Sequence, residues 1–157
     1  MSQQEPPLHV VLYNPEIPPN TGNVGRLCLG VGAAMHVVHP IGFSMGEKAV
    51  RRAGLDYWKH VDLREHENGA AFWTWAADRR VHLFSTKGGK AYTQATFEHG
   101  DVLVFGCETK GLPSELVRKH GALRIPIRPQ VRSLNLSNAV AIVTYAAIAS
   151  IAPPDFI

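Results

Sequence analysis

Cysteine is scarce in this chain and poorly spaced for metal or disulfide chemistry: there are two, Cys28 and Cys107, with no CxxC pair. That argues against a disulfide framework or a thiolate zinc site, and makes a reducing cytoplasm the expected location. Long apolar runs are missing too. The one extended stretch without charge, Ser133 to Ala152, is Ala-rich and interrupted by Thr144, Tyr145 and Ser150, whereas a membrane span needs about 20 predominantly apolar residues. It reads as a helix buried on several sides. Met1 to Pro7 carries no Lys or Arg and leads into a short apolar run, unlike a secretory signal. No GxGxxG follows a candidate strand, and Gly111 is followed by Leu112-Pro113 where a nucleotide-binding P-loop has Lys-Ser/Thr. No Ser/His/Asp arrangement stands out. His36 and His39 sit three apart on a candidate strand and so face opposite ways, which argues against a metal pair.

What is present describes one globular domain over residues 1–157, with 45% hydrophobic and 18% charged residues. A chain of this length buries roughly 70% of its unfolded surface, enough for a core of its own. The net charge of +3 permits a polyanionic partner without demanding one.

Strand-like and helix-like runs alternate. Leu8 to Tyr13, Met35 to His39, His60 to Arg64, Val81 to Ser85, Asp101 to Gly106 and Leu123 to Ile127 read as strands. Val24, Leu27, Cys28 and Val31 recur at helical spacing, and Asn68 is a candidate N-cap for a helix through Ala77. Two further helices are expected at about 113–120 and 135–151. This alternation predicts an α/β fold, a mostly parallel sheet flanked by helices on both faces. Tyr57 and Trp58 read either as core or as a stacking surface for unpaired bases; Trp73 and Trp75 read as core.

Three loops concentrate Gly, Pro, Asn and Arg, and each follows a predicted strand, where open α/β sheets bind ligands. The first, from Asn14 to Arg26, delivers the chain to a helix N-terminus suited to an anion, with Arg26 about one turn inside that helix. The second runs from Phe105 to Pro113. The third, from Ile125 to Asn138, alternates Pro with Arg and then carries Ser133, Asn135, Ser137 and Asn138, more polar residues than a helix cap requires.

Asn20-x-Gly22-x-x-x-Arg26, Gly106-x-Glu108-x-x-Gly111-Leu112-Pro113 and Ser133-Leu-Asn135-Leu-Ser137-x-Ala139 together resemble the three motifs of the SpoU branch of the SPOUT methyltransferases. The resemblance covers Leu8 to about Ser150. With NPEIPPNTGN near the start and RRAGLDYW in the middle, the layout most resembles the minimal tRNA (cytidine/uridine-34-2′-O)-methyltransferases, which act on the wobble nucleotide.

That resemblance implies a C-terminal deep trefoil knot, with knot and cofactor site within about 80–152. It implies S-adenosyl-L-methionine as cofactor, S-adenosyl-L-homocysteine as product, no metal, and a homodimer packed through its first and last helices. Phe84, Gly106, Ile125, Ser133 and Leu134 are the implied cofactor-binding residues. Arg26, Asn135, Ser133 and Glu108 are the implied catalytic ones. An arginine stays protonated at ordinary pH, so Arg26 acts either as an unusual base or as a fixed charge favouring the ribose alkoxide; Glu108 is the alternative base. Contacts to the tRNA anticodon loop are expected from Asn20, Arg26, Lys48, Arg51, Arg52 and Arg132, with Lys59, Lys87, Lys90 and Arg128 adding positive charge. The alternatives are a 2′-O-methyltransferase for another RNA, such as rRNA, and a non-catalytic RNA-binding protein on the same fold.

Overall fold

The computed structural model describes residues 5–46, 48, 50, 52 and 55–156. Seven strands form one sheet: β1 (Leu8–Tyr13), β2 (Ala34–Val38), β3 (Leu63–His66), β4 (Val81–Phe84), β5 (Lys90–Ala91), β6 (Asp101–Phe105) and β7 (Leu123–Arg124). Their order is β3-β2-β1-β6-β4-β7-β5, and every pairing is parallel. Parallel strands need crossover connections, and helices α1 (Pro18–Val31), α2 (Gly69–Trp75), α3 (Ser114–His120) and α4 (Leu136–Ile151) cover both faces.

Alternation along the strands divides the core in two. Leu8, Val10 and Leu12 of β1 with Leu103 and Phe105 of β6 pack under Val24 and Cys28 of α1 and Val140, Val143 and Ile148 of α4. Val11, Val102 and Val104 point the other way, towards Phe72 of α2 and Leu116 and Val117 of α3. The expected class is therefore the observed one.

Several boundaries differ from expectation. α1 begins at Pro18, inside the stretch read as loop, because proline is tolerated in the first helical turn where its missing N–H would be unpaired anyway. Arg26 consequently lies about two turns into α1, not one. β3 starts at Leu63, after a 3-10 turn over Leu55–His60. β7 stops at Arg124, since Pro126 and Pro129 cannot supply ladder N–H groups. The short β5 carried too little apolar pattern to be read. Asn68 and Asn135 cap α2 and α4 as expected, accepting from the N–H groups of Ala71 and Asn138.

On the α2 face the sheet buries a row of imidazoles. His9 Nε2 lies 2.8 Å from Glu5 Oε1, His9 Nδ1 lies 2.9 Å from His36 Nε2, and His36 Nδ1 lies 2.8 Å from His66 Nε2. A carboxylate only accepts, so His9 donates through Nε2; each next ring then donates through its own Nε2 in turn. The row works with neutral rings. Trp75 packs on all three, with the Arg79 guanidinium 4.2 Å from a Trp75 ring centroid.

Burial, then the neighbouring His9, His66, Arg64 and Arg79, pushes His36 down to about 2; burial also lowers His9 and His66. Glu5 moves the same way for stability: hydrogen bonds from Arg79 and His9 hold its carboxyl at about 2. A histidine kept neutral by folding contributes stability that is complete above its unfolded pKa of about 6.5 and is lost as pH falls below it. Between pH 7.5 and 5.5, His36 alone should remove about 1.4 kcal/mol from the unfolding free energy, with His9 and His66 adding in the same direction. Urea denaturation across that range should show the midpoint falling with acid; a midpoint that stays level or rises would contradict the neutral row.

Candidate functional site

The three motif loops leave the carboxyl ends of the strands, at the place where chain order reverses: β1 leads to β2 on one side, while β6 and β4 lie on the other. Glu108, in the loop after β6, joins them. Its carboxylate accepts the Glu16 N–H at 2.9 Å, the Ile17 N–H at 2.7 Å and Asn20 Nδ2 at 3.3 Å. Ile17 is the N-cap residue of α1 and has no capping side chain of its own. The anion at this helix start is thus the chain's own Glu108. Asn20 is buried on α1, and its Oδ1 accepts from Asn135 Nδ2 at 3.1 Å. Asn135 Oδ1 in turn accepts from Ser137 Oγ at 2.6 Å and the Asn138 N–H at 3.3 Å. Every polar atom in this chain of amides has its direction fixed by a partner.

A second clasp runs the opposite way: Glu16 Oε1 accepts the Thr109 N–H at 3.0 Å and Thr109 Oγ1 at 2.7 Å. The Thr109 backbone N–H, then its hydroxyl, hold the Glu16 carboxyl below the ordinary carboxylate range. Glu16 and Thr109 were not singled out from sequence, because nothing local marks two residues from separate loops as partners.

Gly106 ends β6 as a buried residue. A Cβ there would fall inside the backbone of Leu112 and Gly111, with Gly111 Cα at 2.7 Å. The glycine is needed for loop to pack on loop, a reason separate from the cofactor-binding role that the resemblance implies. Phe84 is buried at the end of β4 and stacks on Phe105, with ring centroids 4.8 Å apart.

Beside these loops lies a cleft of about 350 Å³ whose lining includes Thr86, Arg124, Ile125, Ile127, Arg128 and Arg132. Its volume falls in the usual range for small-molecule sites, about 300–1,000 Å³. Ile125 and Arg132 were expected at the site; Thr86 and Arg124 are additions that carry no motif signal. Ser133 is exposed and Leu134 half-buried, in the segment that leads from the cleft to Asn135. Among the described residues, one loop backbone hydrogen bond is formed from Ile125 to Leu134, Val131 N–H to the Arg128 carbonyl. Most main-chain groups there are therefore available to a ligand.

Arg26 is not in this group. Six positions on from Asn20, it points about 120° away around the helix axis. It is exposed, with its guanidinium carbon 5.3 Å from the Tyr57 ring centroid. Lys48 and Arg52 are exposed, in the connection between β2 and the 3-10 turn, and Arg51 lies outside the described residues. Trp58 is half-buried against α1, whereas Tyr57 is 47% exposed, so the pair divides between the two readings.

Removing the Glu108 carboxylate should detach both the α1 N-terminus and Asn20. Glu108→Ala is expected to cost about 2–3 kcal/mol, from three lost charge-assisted or buried bonds. Glu108→Gln should cost less, as the amide keeps one acceptor. Thermal unfolding of both variants checks the order; equal melting temperatures for Ala and wild type would remove Glu108 from this role.

Comparison with known proteins gives one consistent result. The model of the SpoU rRNA Methylase family matches residues 7–145. A Methylovorus glucosotrophus protein named tRNA (cytidine(34)-2′-O)-methyltransferase is 46% identical over 141 residues, covering 88% of this chain and 92% of its own. The Escherichia coli K12 protein of the same name is 44% identical over 143 residues, covering 89% and 91%. A solved structure reported as "Structural insights into the 2-OH methylation of C/U34 on tRNA" superposes with a TM-score of 0.89 at 44% identity, covering 94% of this chain and 97% of that one. An AdoMet-bound rRNA methyltransferase from Sinorhizobium meliloti, at 27% identity and TM-score 0.84, covers 95% of this chain but is longer, with 58% of it matched. With the family's model matching the whole sheet and most of α4, this chain belongs to the SpoU rRNA Methylase family.

Proposed function

We propose that this protein transfers a methyl group from S-adenosyl-L-methionine to the ribose 2′-hydroxyl of nucleotide 34 of tRNA, working as a homodimer in the cytoplasm. The observation that carries the reading is the Glu108–Asn20–Asn135 linkage, which draws residues of all three motif loops together, the third of which also lines an open cleft. Relatives at 44–46% identity, matched over about nine-tenths of both chains, bear the corresponding name and support the choice of substrate.

The cleft suits the cofactor chemically. Ile125 and Ile127 offer apolar surface for a purine, and the largely unpaired main chain from Ile125 to Leu134 offers donors and acceptors for its edge. Ser133, Leu134 and the strand ends at Phe84 and Gly106, which lie outside that lining, are assigned to the cofactor as well. When bound, the cofactor supplies an electrophilic sulfonium methyl and departs as S-adenosyl-L-homocysteine.

The protein's own part is to position the ribose and to handle its proton. The 2′-hydroxyl is a weak nucleophile until its O–H bond is polarised or broken. Arg26 is assigned that task as a fixed positive charge favouring the alkoxide, with the proton passing to solvent or to a neighbouring base. Asn135 and Ser133 orient the ribose. Glu108, spent on three N–H donors, fits a positioning role better than that of base. Arg128 and Arg132 at the cleft, with Lys48 and Arg52, are assigned to RNA phosphates.

Two structural readings accompany this one. The five residues 85–89 pass from β4 to β5 across β7: Phe84 and Lys90 both flank Leu123, and a Cβ on Gly88 would stand 2.5 Å from the Leu123 carbonyl carbon. A loop drawn that tightly over a strand supports threading of the C-terminal segment as a trefoil knot within about 80–152, in a single domain over 1–157. α4 holds no charged residue and exposes Ile142 and Tyr145, which supports its burial against a second copy.

Incubation with labelled S-adenosyl-L-methionine and total RNA, followed by mapping of the modified nucleotide, tests the assignment. Label is expected on the ribose of tRNA nucleotide 34. Label on a base, at another ribose, or in rRNA alone would overturn it.

A further inference from the structure

Long exposed arginines usually forfeit much of their side-chain freedom only when something gains from their orientation. Among the described residues, Arg64, Arg79 and Arg80 are each held by carboxylates, of Asp62, Glu5, and Glu98 with Asp101 respectively. Those pairs are neutralised and unavailable to an incoming anion. Arg26 is held differently, by the face of Tyr57. A ring face attracts a cation without cancelling its charge, so the guanidinium edge remains free to donate to an anionic oxygen.

The turn that carries the ring is fixed from the other side. Tyr57 belongs to the 3-10 turn Leu55–His60, and its neighbour Trp58 is wedged against α1 at Gly25. A Cβ on Gly25 would stand 2.5 Å from Trp58 Cζ3 and 3.1 Å from Trp58 Cε3, so the absence of a side chain there is what lets the indole in. The Val61 N–H donates to the Trp58 carbonyl at 3.1 Å, closing the turn. Gly25 and Arg26 are consecutive, as are Trp58 and Tyr57. One adjacent pair makes the anchor and the other makes the aimed cation.

We infer that Tyr57 is a positioning residue for Arg26, its ring holding a guanidinium that meets no carboxylate among the described residues in the orientation that meets the reacting ribose. The inference rests on the assignment of Arg26 to methyl transfer. It makes the RRAGLDYW segment part of the reaction machinery, through its last two residues. The aromatic ring supplies the hold, while the phenolic hydroxyl is dispensable.

The test uses the full-length protein with tRNA and labelled cofactor. Y57L keeps apolar bulk and loses the ring; it should lower kcat by about 2- to 5-fold, the scale of an exposed cation–π contact, with KM for tRNA changed by less than about 2-fold. Y57F should recover most of that loss. Y57L added to R26A, measured with excess enzyme over long incubation, should cause no further loss. The inference is overturned if Y57L turns over like wild type, if Y57F is as impaired as Y57L, or if Y57L still costs activity in the R26A background, as stacking on an RNA base would. Should R26A alone retain wild-type kcat, the assignment of Arg26 fails and the role of Tyr57 falls with it. Y57L at wild-type rate beside an inactive R26A removes the inference alone.

Discussion

Arg26→Ala is expected to lower methyl transfer by about 100- to 1,000-fold, the scale seen when one donor to a developing oxyanion is removed. Cofactor affinity and melting temperature should hardly change. The side chain is exposed and touches no carboxylate among the described residues, so its loss leaves no buried group stranded. Arg26→Lys should recover only part of the rate, because an ammonium keeps the charge but lacks the planar pair of N–H groups that fits an oxyanion sideways. Single-turnover rates with saturating tRNA give the chemical step, and calorimetric titration with the cofactor checks the pocket separately. A variant that binds cofactor normally and methylates at the wild-type rate would take the reaction away from Arg26. A variant that loses cofactor affinity instead would place Arg26 in the pocket, where its position on α1 gives no support for it.

Much of the architecture was legible because parallel strands covered on both faces leave a simple trace. Runs such as LHVVLY and DVLVF are apolar on both sides, and the helical spacing of Val24, Cys28 and Val31 marks the one face α1 buries. The order of strands was less accessible. Nothing in the local pattern says that β6 enters between β1 and β4, or that β7 slips between β4 and β5, since such placements depend on contacts far apart in sequence. The site divides in the same way. Asn20, Glu108 and Asn135 stood out as polar residues in Gly- and Pro-rich loops, and they do meet. What each does was harder to read. The sequence offers an anion-seeking helix start after the first loop and a glutamate at 108, without showing where that start falls or that Glu108 satisfies it from 91 positions away. Likewise His9, His36 and His66 lie on three separate strands, and only the register of β1, β2 and β3 turns them into a single row.

Gly106→Ala should be among the most damaging single-carbon additions the fold offers, and it separates two reasons for the glycine. If Gly106 exists to admit a ligand, a methyl group would block the cofactor and leave the unliganded protein as stable as before. The geometry points elsewhere. The new Cβ would collide with main-chain atoms of Gly111 and Leu112, and backbone cannot rotate aside as a flexible side chain can. Gly111 is itself constrained, with φ of 69° and a β-bridge to Cys107. Relief therefore requires displacing the whole turn that carries Glu108, and with it the caps on α1 and Asn20. Overpacking of this kind costs about 1–3 kcal/mol in side-chain cores and more where only backbone is available to move. A loss of about 3 kcal/mol would lower the melting temperature of a chain this size by roughly 6–12 °C. Gly111→Ala serves as the comparison, since it meets open space and carries only the strain of a positive φ, about 1–2 kcal/mol. Melting the two variants without cofactor should show Gly106→Ala as clearly the less stable. If it instead melts with the wild type and merely fails to bind cofactor, the contact with Gly111 and Leu112 is not what the glycine serves.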